Sequence, residues 1–380
     1  MFEFFIKFVR DYYSNTEGFI PLHAPVFRGN EKKYLIDTID STFVSSVGAY
    51  VDKFEEIIKA KTGAKFAVAT VNGTSALHAS LHVIGATLGD EVVTQALSFV
   101  ATANAISYTG ARPIFLDVDK DTLGMSPDAL YHFLKKNVSI KDSKAINKLT
   151  NNPIRAIVPM HTFGIPCRIK EIVEIADSFN IPVVEDAAES LGSYSNKIHT
   201  GRFGKVGIFS FNGNKTLTAG GGGVIITDDV ELGKRLKHIT TTAKLPHPWE
   251  FNHDEIGFNY RMPNLNAAVA CAQLENLNDF LEEKKSLSEQ YSNLFYNLEI
   301  KYIKGLPYDE PNYWLNTILL NSKAQRDEFL KYTQDNNVMT RPVWILLNKL
   351  PMYKNSLTDS LENSEWLADR IVNLPSSVKN

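Results

Sequence analysis

Lys215 stands in the stretch Phe209-Ser210-Phe211-Asn212-Gly213-Asn214-Lys215-Thr216, just ahead of the four glycines Gly220 to Gly223. An apolar, strand-like run stops there, one lysine follows in a small-residue turn, and a glycine-rich loop comes next. Such a setting suits an amine that must lose its charge and attack a carbonyl. Upstream, Val183-Val184-Glu185-Asp186-Ala187-Ala188 ends a second buried-looking strand with an aspartate. Sites gather at the carboxyl ends of strands in open α/β sheets. An amine that bonds an aldehyde carbon and a carboxylate that keeps a ring nitrogen protonated are the two protein groups pyridoxal 5'-phosphate most needs. Asp186 alone fits equally well as a cap for the Ala-rich turn after it, so the pair carries the reading.

Other residues fit the same chemistry. Asn72-Gly73-Thr74-Ser75-Ala76-Leu77 follows a strand and opens a helix on which Leu77, Leu81 and Ile84 share a face. Exposed amides at a helix start, with the hydroxyls of Thr74 and Ser75, suit a phosphate dianion. The same tetrapeptide also serves as an ordinary turn and cap. Phe99 follows another strand and could lie flat on a cofactor ring, or belong to the core. Glu189, three residues past Asp186, faces the same space or solvent.

Two metal-like patterns do not hold. His78 and His82 have the i, i+4 spacing of a metal pair, but no glutamate occupies the metalloprotease position. Asp117-Val118-Asp119-Lys120-Asp121 resembles the start of a calcium loop, yet Thr122 stands where glycine is needed and Asp128 where glutamate is. No metal is expected.

The elements that must position these residues alternate. Short β-rich runs occur near Phe66–Ala69, Glu91–Thr94, Pro113–Asp117, Ala156–Pro159, Pro182–Glu185, Val206–Phe211 and Val224–Thr227. Helical patterns lie between most of them: Ser126-Pro127 gives a cap and a first helical proline, and Lys170–Phe179 is apolar at helical spacing. Strand–helix alternation predicts an α/β fold with a mostly parallel, helix-covered sheet of seven strands. The link from Phe211 to Val224 lacks a helix pattern, so that pair is expected to be antiparallel. Past about Trp249 the pattern changes, and Asn266–Leu298 predicts one or two long helices. The expected division is an amphipathic N-terminal helix over 1–20, a large cofactor-binding domain over 21–250, and a smaller C-terminal α/β domain over 251–380.

The whole chain sets bounds. Its 380 residues are 44% apolar and 22% charged, ordinary for a soluble globular protein. A formal charge of −3 gives no basic surface for nucleic acid. The two cysteines, Cys167 and Cys271, form neither a metal spacing nor a disulfide framework, as in a reducing compartment. The apolar N-terminus is interrupted by Glu3, Lys7 and Arg10, unlike a signal peptide. No stretch approaches the roughly 20 apolar residues of a membrane span. A cytoplasmic location, without membrane or nucleic-acid partners, is expected.

The order Asn-Gly-Thr-Ser-Ala-Leu, Ser-Phe-Val-Ala-Thr-Ala-Asn-Ala, Val-Glu-Asp-Ala-Ala-Glu-Ser-Leu-Gly, Phe-Ser-Phe-Asn-Gly-Asn-Lys-Thr and Gly-Phe-Asn-Tyr-Arg-Met-Pro-Asn is distinctive. The chain resembles the nucleotide-sugar aminotransferases of the DegT/DnrJ/EryC1/StrS family from about Pro21 onward. The resemblance implies a fold-type I (aspartate aminotransferase-like) transferase that works as a homodimer with active sites at the subunit interface. It implies Lys215 as the cofactor-bonding lysine, Asp186 as the ring-nitrogen partner, Phe99 as the stacking aromatic, and Gly73, Thr74 and Ser210 at phosphate positions. Asn259 matches the residue that reaches the phosphate of the neighbouring subunit. Glu189 stands where many members have glutamine, and Gly-Gly-Gly-Gly replaces the commoner Gly-Glu-Gly-Gly. A deoxygenating branch has histidine in place of the lysine, so Lys215 favours transamination over dehydration.

The segments Phe43–Gly48 and Thr340–Trp344 resemble the branch acting on 4-keto-6-deoxy sugars, which places Ser45, Ser46 and Arg341 at the substrate. The expected reaction moves the amino group of L-glutamate to C4 of a nucleotide-linked keto sugar. UDP-4-keto-6-deoxy-N-acetylglucosamine, as in legionaminic acid or bacillosamine synthesis, is the first expectation, with a GDP-perosamine-type or 3-keto-sugar reaction as the alternative. A protein that binds pyridoxal phosphate without turnover would share the ring and phosphate contacts. A nicotinamide dehydrogenase is excluded, because Asn72-Gly73-Thr74-Ser75 supplies no Gly-x-Gly-x-x-Gly turn.

Overall fold

The computed structural model describes residues 2–379. Its centre is a sheet of the seven expected strands: β1 (Phe66–Thr70), β2 (Glu91–Gln95), β3 (Arg112–Leu116), β4 (Ile154–Val158), β5 (Val184–Asp186), β6 (Val206–Ser210) and β7 (Gly223–Thr227). Ladders join β1-β7-β6-β5 and β3-β2-β4. Parallel bridges from Ile157 to Val183 and from Met160 to Asp186 unite the two sets. Only β7 runs against its neighbours, pairing antiparallel with β1 and β6. Its connection from β6 is the glycine-rich stretch, where no helix intervenes. A Cβ on Gly223 would fall 2.5 Å from the Asn72 carbonyl. Glycine there lets β7 run beside the turn that opens the next helix.

Local signals act as read. Ser126 accepts a hydrogen bond from the Ala129 amide and Pro127 starts the helix Pro127–Asn137. Asn72 caps the helix Gly73–Ile84 by accepting from the Ser75 amide, and Gly85 ends it at φ 95°. The Asp117–Asp121 turn spends its carboxylates internally: Arg168 pairs with Asp119 and Asp121, and Asp117 accepts from the amides of Val118 and Ser364. His78 packs against Phe258 and Tyr260, with Nδ1 3.0 Å from the Tyr260 hydroxyl.

The hydrophobic cores divide later than the position 251 expected from the sequence. Segment 257–261 is stitched to the large sheet, with the Val71 amide donating to the Tyr260 carbonyl. The helix Asn264–Glu275 then lies in the core beneath β6 and β7, through Ala267, Ala270, Cys271 and Leu274. The next helix, Leu277–Asn297, starts in that core at Leu277 and Phe280. It ends in a second core at Leu287, Tyr291 and Phe295. That second core also holds Phe5, Ile6 and Val9 of the helix Phe2–Tyr12. Its antiparallel sheet follows the order Lys301–Tyr302, Asn316–Leu319, Ile371–Leu374, Arg341–Pro342. Among the described residues no helix is long and apolar enough to cross a membrane.

Candidate active site

The carboxyl ends of β1, β2, β5 and β6 point the same way, and a cavity of about 310 Å³ opens there. Each strand delivers one element of the site. Gly73 and Thr74 follow β1, Phe99 follows β2, Asp186 closes β5 and Glu189 lies one turn beyond, while Ser210 closes β6 with Lys215 in the turn after it. All seven of these residues line the cavity.

Their bonding is specific. Lys215 Nζ lies 3.0 Å from Glu189 Oε1 and 4.1 Å from the centre of the Trp314 ring. The other Glu189 oxygen accepts from the Phe163 amide at 2.9 Å. Burial pushes the Glu189 carboxyl above the usual range, against the pull of Lys215. Asp186 is buried, accepting from the Thr102 hydroxyl at 2.7 Å and the Ala188 amide at 3.2 Å. At the helix start, Asn72 takes the amides of Ser75 and Ala76 through its side chain and carbonyl. The amides of Gly73 and Thr74 keep no protein acceptor among the described residues. A Cβ on Gly73 would lie 3.0 Å from Ser210 Cβ, so glycine admits that hydroxyl beside the helix start.

This donor set fits pyridoxal phosphate. Free amides and hydroxyls at a helix N-terminus match a phosphate, a buried carboxylate matches a protonated ring nitrogen, and an amine is available for the aldehyde carbon. Phe99 offers an aromatic face and leans on Trp344, their rings 5.9 Å apart.

Ser75, Ser45, Ser46, Asn259 and Arg341 do not line this cavity. Ser75 is tied to Asn72. The Ser45 carbonyl accepts from the Asn264 amide, and Arg341 is exposed on the outer strand of the small sheet. Asn259 is exposed and receives the Arg261 guanidinium at 3.3 Å.

Residues about a hundred positions later complete the wall. Asn312 Nδ2 donates to the carbonyls of Glu189 and Leu191 and to the Thr216 hydroxyl, while its oxygen accepts from the Trp314 amide. Trp314 Nε1 donates to the Asn214 carbonyl at 2.6 Å. Together they lock the Lys215 turn to the segment that leads into the strand Asn316–Leu319, where Trp314 packs with Phe163, Ile303 and Leu315. Asn312→Ala leaves several buried groups without partners, so it should destabilise the fold by roughly 2–4 kcal/mol, as denaturant unfolding would read.

The comparisons with known proteins agree with this geometry. The model of the DegT/DnrJ/EryC1/StrS aminotransferase family matches residues 25–379. The chain belongs to that family. Among its relatives is a GDP-perosamine synthase of Escherichia coli O157:H7, 37% identical over 358 residues, which are 94% of this chain and 93% of the relative. A GDP-perosamine synthase of Vibrio cholerae is 35% identical over 366 residues, 94% of each chain. The crystal structure of the aminotransferase TlmJ from Streptoalloteichus hindustanus superposes with a TM-score of 0.85 at 25% identity, covering 94% of both chains. The fold is that of the fold-type I pyridoxal phosphate-dependent transferases. The protein is a pyridoxal phosphate-dependent nucleotide-sugar aminotransferase.

Proposed function

We propose that this enzyme transfers the amino group of L-glutamate to C4 of a GDP-linked 4-keto-6-deoxyhexose. The observation that carries the reading is the joint placement of Lys215, Asp186 and Glu189 in one cavity. Two GDP-perosamine synthases that match this chain over more than nine-tenths of both lengths support a GDP-linked sugar. Those relatives support GDP over the UDP-linked N-acetylglucosamine derivative expected from Phe43–Gly48 and Thr340–Trp344. A panel of GDP- and UDP-linked 4-keto and 3-keto sugars with glutamate, read by 2-oxoglutarate release, tests it. The GDP-linked 4-keto sugar should have the highest kcat/KM; a preference for the UDP-linked sugar would reinstate the first expectation.

Pyridoxal phosphate, when bound, supplies the electron sink that lets an amino group leave one carbon and reach another. The chain's own residues do the rest. Gly73, Thr74 and Ser210 would hold the phosphate, Phe99 would cover the ring, and the Asp186 carboxylate would keep the ring nitrogen protonated by its opposite charge. Lys215 Nζ would be the amine that anchors the cofactor's aldehyde, and the same nitrogen, facing the cavity, would carry a proton to and from the substrate carbon. For that it must shed a proton, and Glu189 Oε1 at 3.0 Å is a buried acceptor whose raised affinity for protons suits it to the exchange.

A homodimer with shared sites is part of this proposal. Large apolar side chains stand exposed on two stretches, Ile36, Ile39, Phe43 and Val47 on one and Trp249, Phe251 and Ile256 on the other. Such surface favours a partner, and a second copy would bring Asn259 to the other subunit's phosphate. Mixing inactive Lys215→Ala with inactive Asn259→Ala under subunit exchange should restore activity, because one site of each mixed dimer is then wild type. Confirmed exchange without recovery would assign Asn259 to its own subunit.

A further inference from the structure

Lys284 is fully buried between the two cores. Its Nζ lies 2.7 Å from the Ser376 carbonyl, 3.3 Å from the Trp314 carbonyl and 2.8 Å from His23 Nε2. Three separate stretches of chain meet at this nitrogen: the N-terminal segment at His23, the segment carrying Asn312 and Trp314, and the C-terminal segment at Ser376. The Ser376 hydroxyl receives the Asn316 amide, and the Ser376 amide donates to Leu22, so the three stretches are also cross-linked around it. Trp314 in turn covers Lys215 Nζ and holds the Asn214 carbonyl.

Which group donates between Lys284 and His23 is decided by the other imidazole nitrogen. His23 Nδ1 is buried and has no partner among the described residues. If Lys284 is an ammonium, its third N–H needs His23 Nε2 as acceptor. The imidazole proton must then sit on Nδ1, a buried donor with nothing to receive it. A neutral amine reverses the bond: Nε2–H donates to the Nζ lone pair, two N–H groups serve Ser376 and Trp314, and Nδ1 keeps only a bare lone pair. A buried orphan acceptor is tolerated better than a buried orphan N–H.

We propose that Lys284 and His23 form a buried, proton-sharing clasp that positions Trp314, and through it the Lys215 turn, and that a proton added to this pair loosens the wall of the active site. Lys284 is a positioning residue, since its contacts end at Trp314. The clasp's link to catalysis rests on the role proposed for Lys215.

The surroundings agree. Burial draws the Lys284 ammonium down to about 7 from 10.5 and holds His23 well below its ordinary value. The charges nearby are Glu283 on the same helix, engaged by Arg28 and the Lys379 amide, and Lys215 across Trp314. The phenols of Tyr291 and Tyr13 flank the clasp, donating to the Pro375 and Ser377 carbonyls, and Tyr302 bonds Ser288 and Asn316 on its other side. The sign follows from the depressed value. Between about 7 and 10.5 the unfolded chain binds more protons at Lys284 than the folded one, so this group favours folding increasingly as pH rises through that window. Below it the full cost of the buried charge is felt.

The test uses cofactor-free protein with 5-fluorotryptophan at its four tryptophans, the Trp314 signal being assigned by its loss in Trp314→Phe. The expected result is a Trp314 fluorine resonance that titrates with a midpoint near 7 in the wild type and is flat in Lys284→Met. His23→Gln should move the midpoint, which keeps the test decisive if the methionine variant folds poorly. With cofactor added, Lys284→Met should lower kcat on the order of tenfold with KM for glutamate little changed. A wild-type signal that does not titrate, a titration that persists in Lys284→Met, or an unmoved midpoint in His23→Gln overturns the proposal. Because the fluorine measurement needs no turnover, it stands or falls separately from the role of Lys215.

Discussion

Lys215→Ala should cut glutamate-dependent amination by roughly four orders of magnitude while leaving the fold intact. The turn that carries Lys215 is held by backbone and neighbours rather than by the side chain. The Lys215 amide donates to the Asn212 carbonyl, the Ala219 amide to Phe211, and Trp314 Nε1 to Asn214. What the alanine removes is the Nζ that meets Glu189 Oε1 and the Trp314 ring. Thermal melting should therefore change little, and cofactor should still bind through its phosphate. The wild type with cofactor should be yellow and bleach with glutamate, whereas the alanine variant should bind cofactor without bleaching at the wild-type rate. Turnover near the wild-type rate in Lys215→Ala would remove this lysine from the chemistry.

Much of the fold could be read in the chain because its signals are local. The strands are short, mostly apolar runs, and the seven form one sheet, with β7 reversed because its connection holds glycines and no helix. That Lys215, Asp186 and Gly73 share one cavity has the same cause, as each lies at a strand's carboxyl end or in the turn just after it. Asn312 and Trp314 were not legible in the chain. Nothing near them signals a site, and they matter only because the fold returns them to the Lys215 turn. That the helix Asn264–Glu275 packs in the core of the large sheet, past position 251, could not be read in the chain for a physical reason too. The helix Asn264–Glu275 is alanine-rich and buried on several sides, so it shows no polar face and gives no hint of which core it joins. Segment 257–261 before it bonds to β1 through Val71 and Tyr260, a pairing nearly two hundred residues apart that no window of sequence contains.

Asp186→Asn should lower the rate by roughly two to three orders of magnitude at almost unchanged stability. Asp186 receives two hydrogen bonds, from the Thr102 hydroxyl at Oδ2 and from the Ala188 amide at Oδ1. Asparagine keeps a carbonyl for Ala188, and the Thr102 hydroxyl can rotate to accept from the new amide. Shape and local bonding survive; the negative charge does not. If Asp186 only caps the Ala187–Ala188 turn, that exchange costs little and activity persists. If its charge holds a proton on the cofactor's ring nitrogen, the loss removes an opposite charge in a buried setting, where such a charge favours the protonated form strongly. The ring then accepts electrons poorly, and both halves of the transfer slow together. Alanine cannot separate the two roles, because it also leaves Thr102 and Ala188 without an acceptor. The decisive pair of measurements is the single-turnover rate with glutamate and the melting temperature of the asparagine variant. A slow rate with an unchanged melt assigns Asp186 to the ring nitrogen, and near-normal turnover reduces it to a cap.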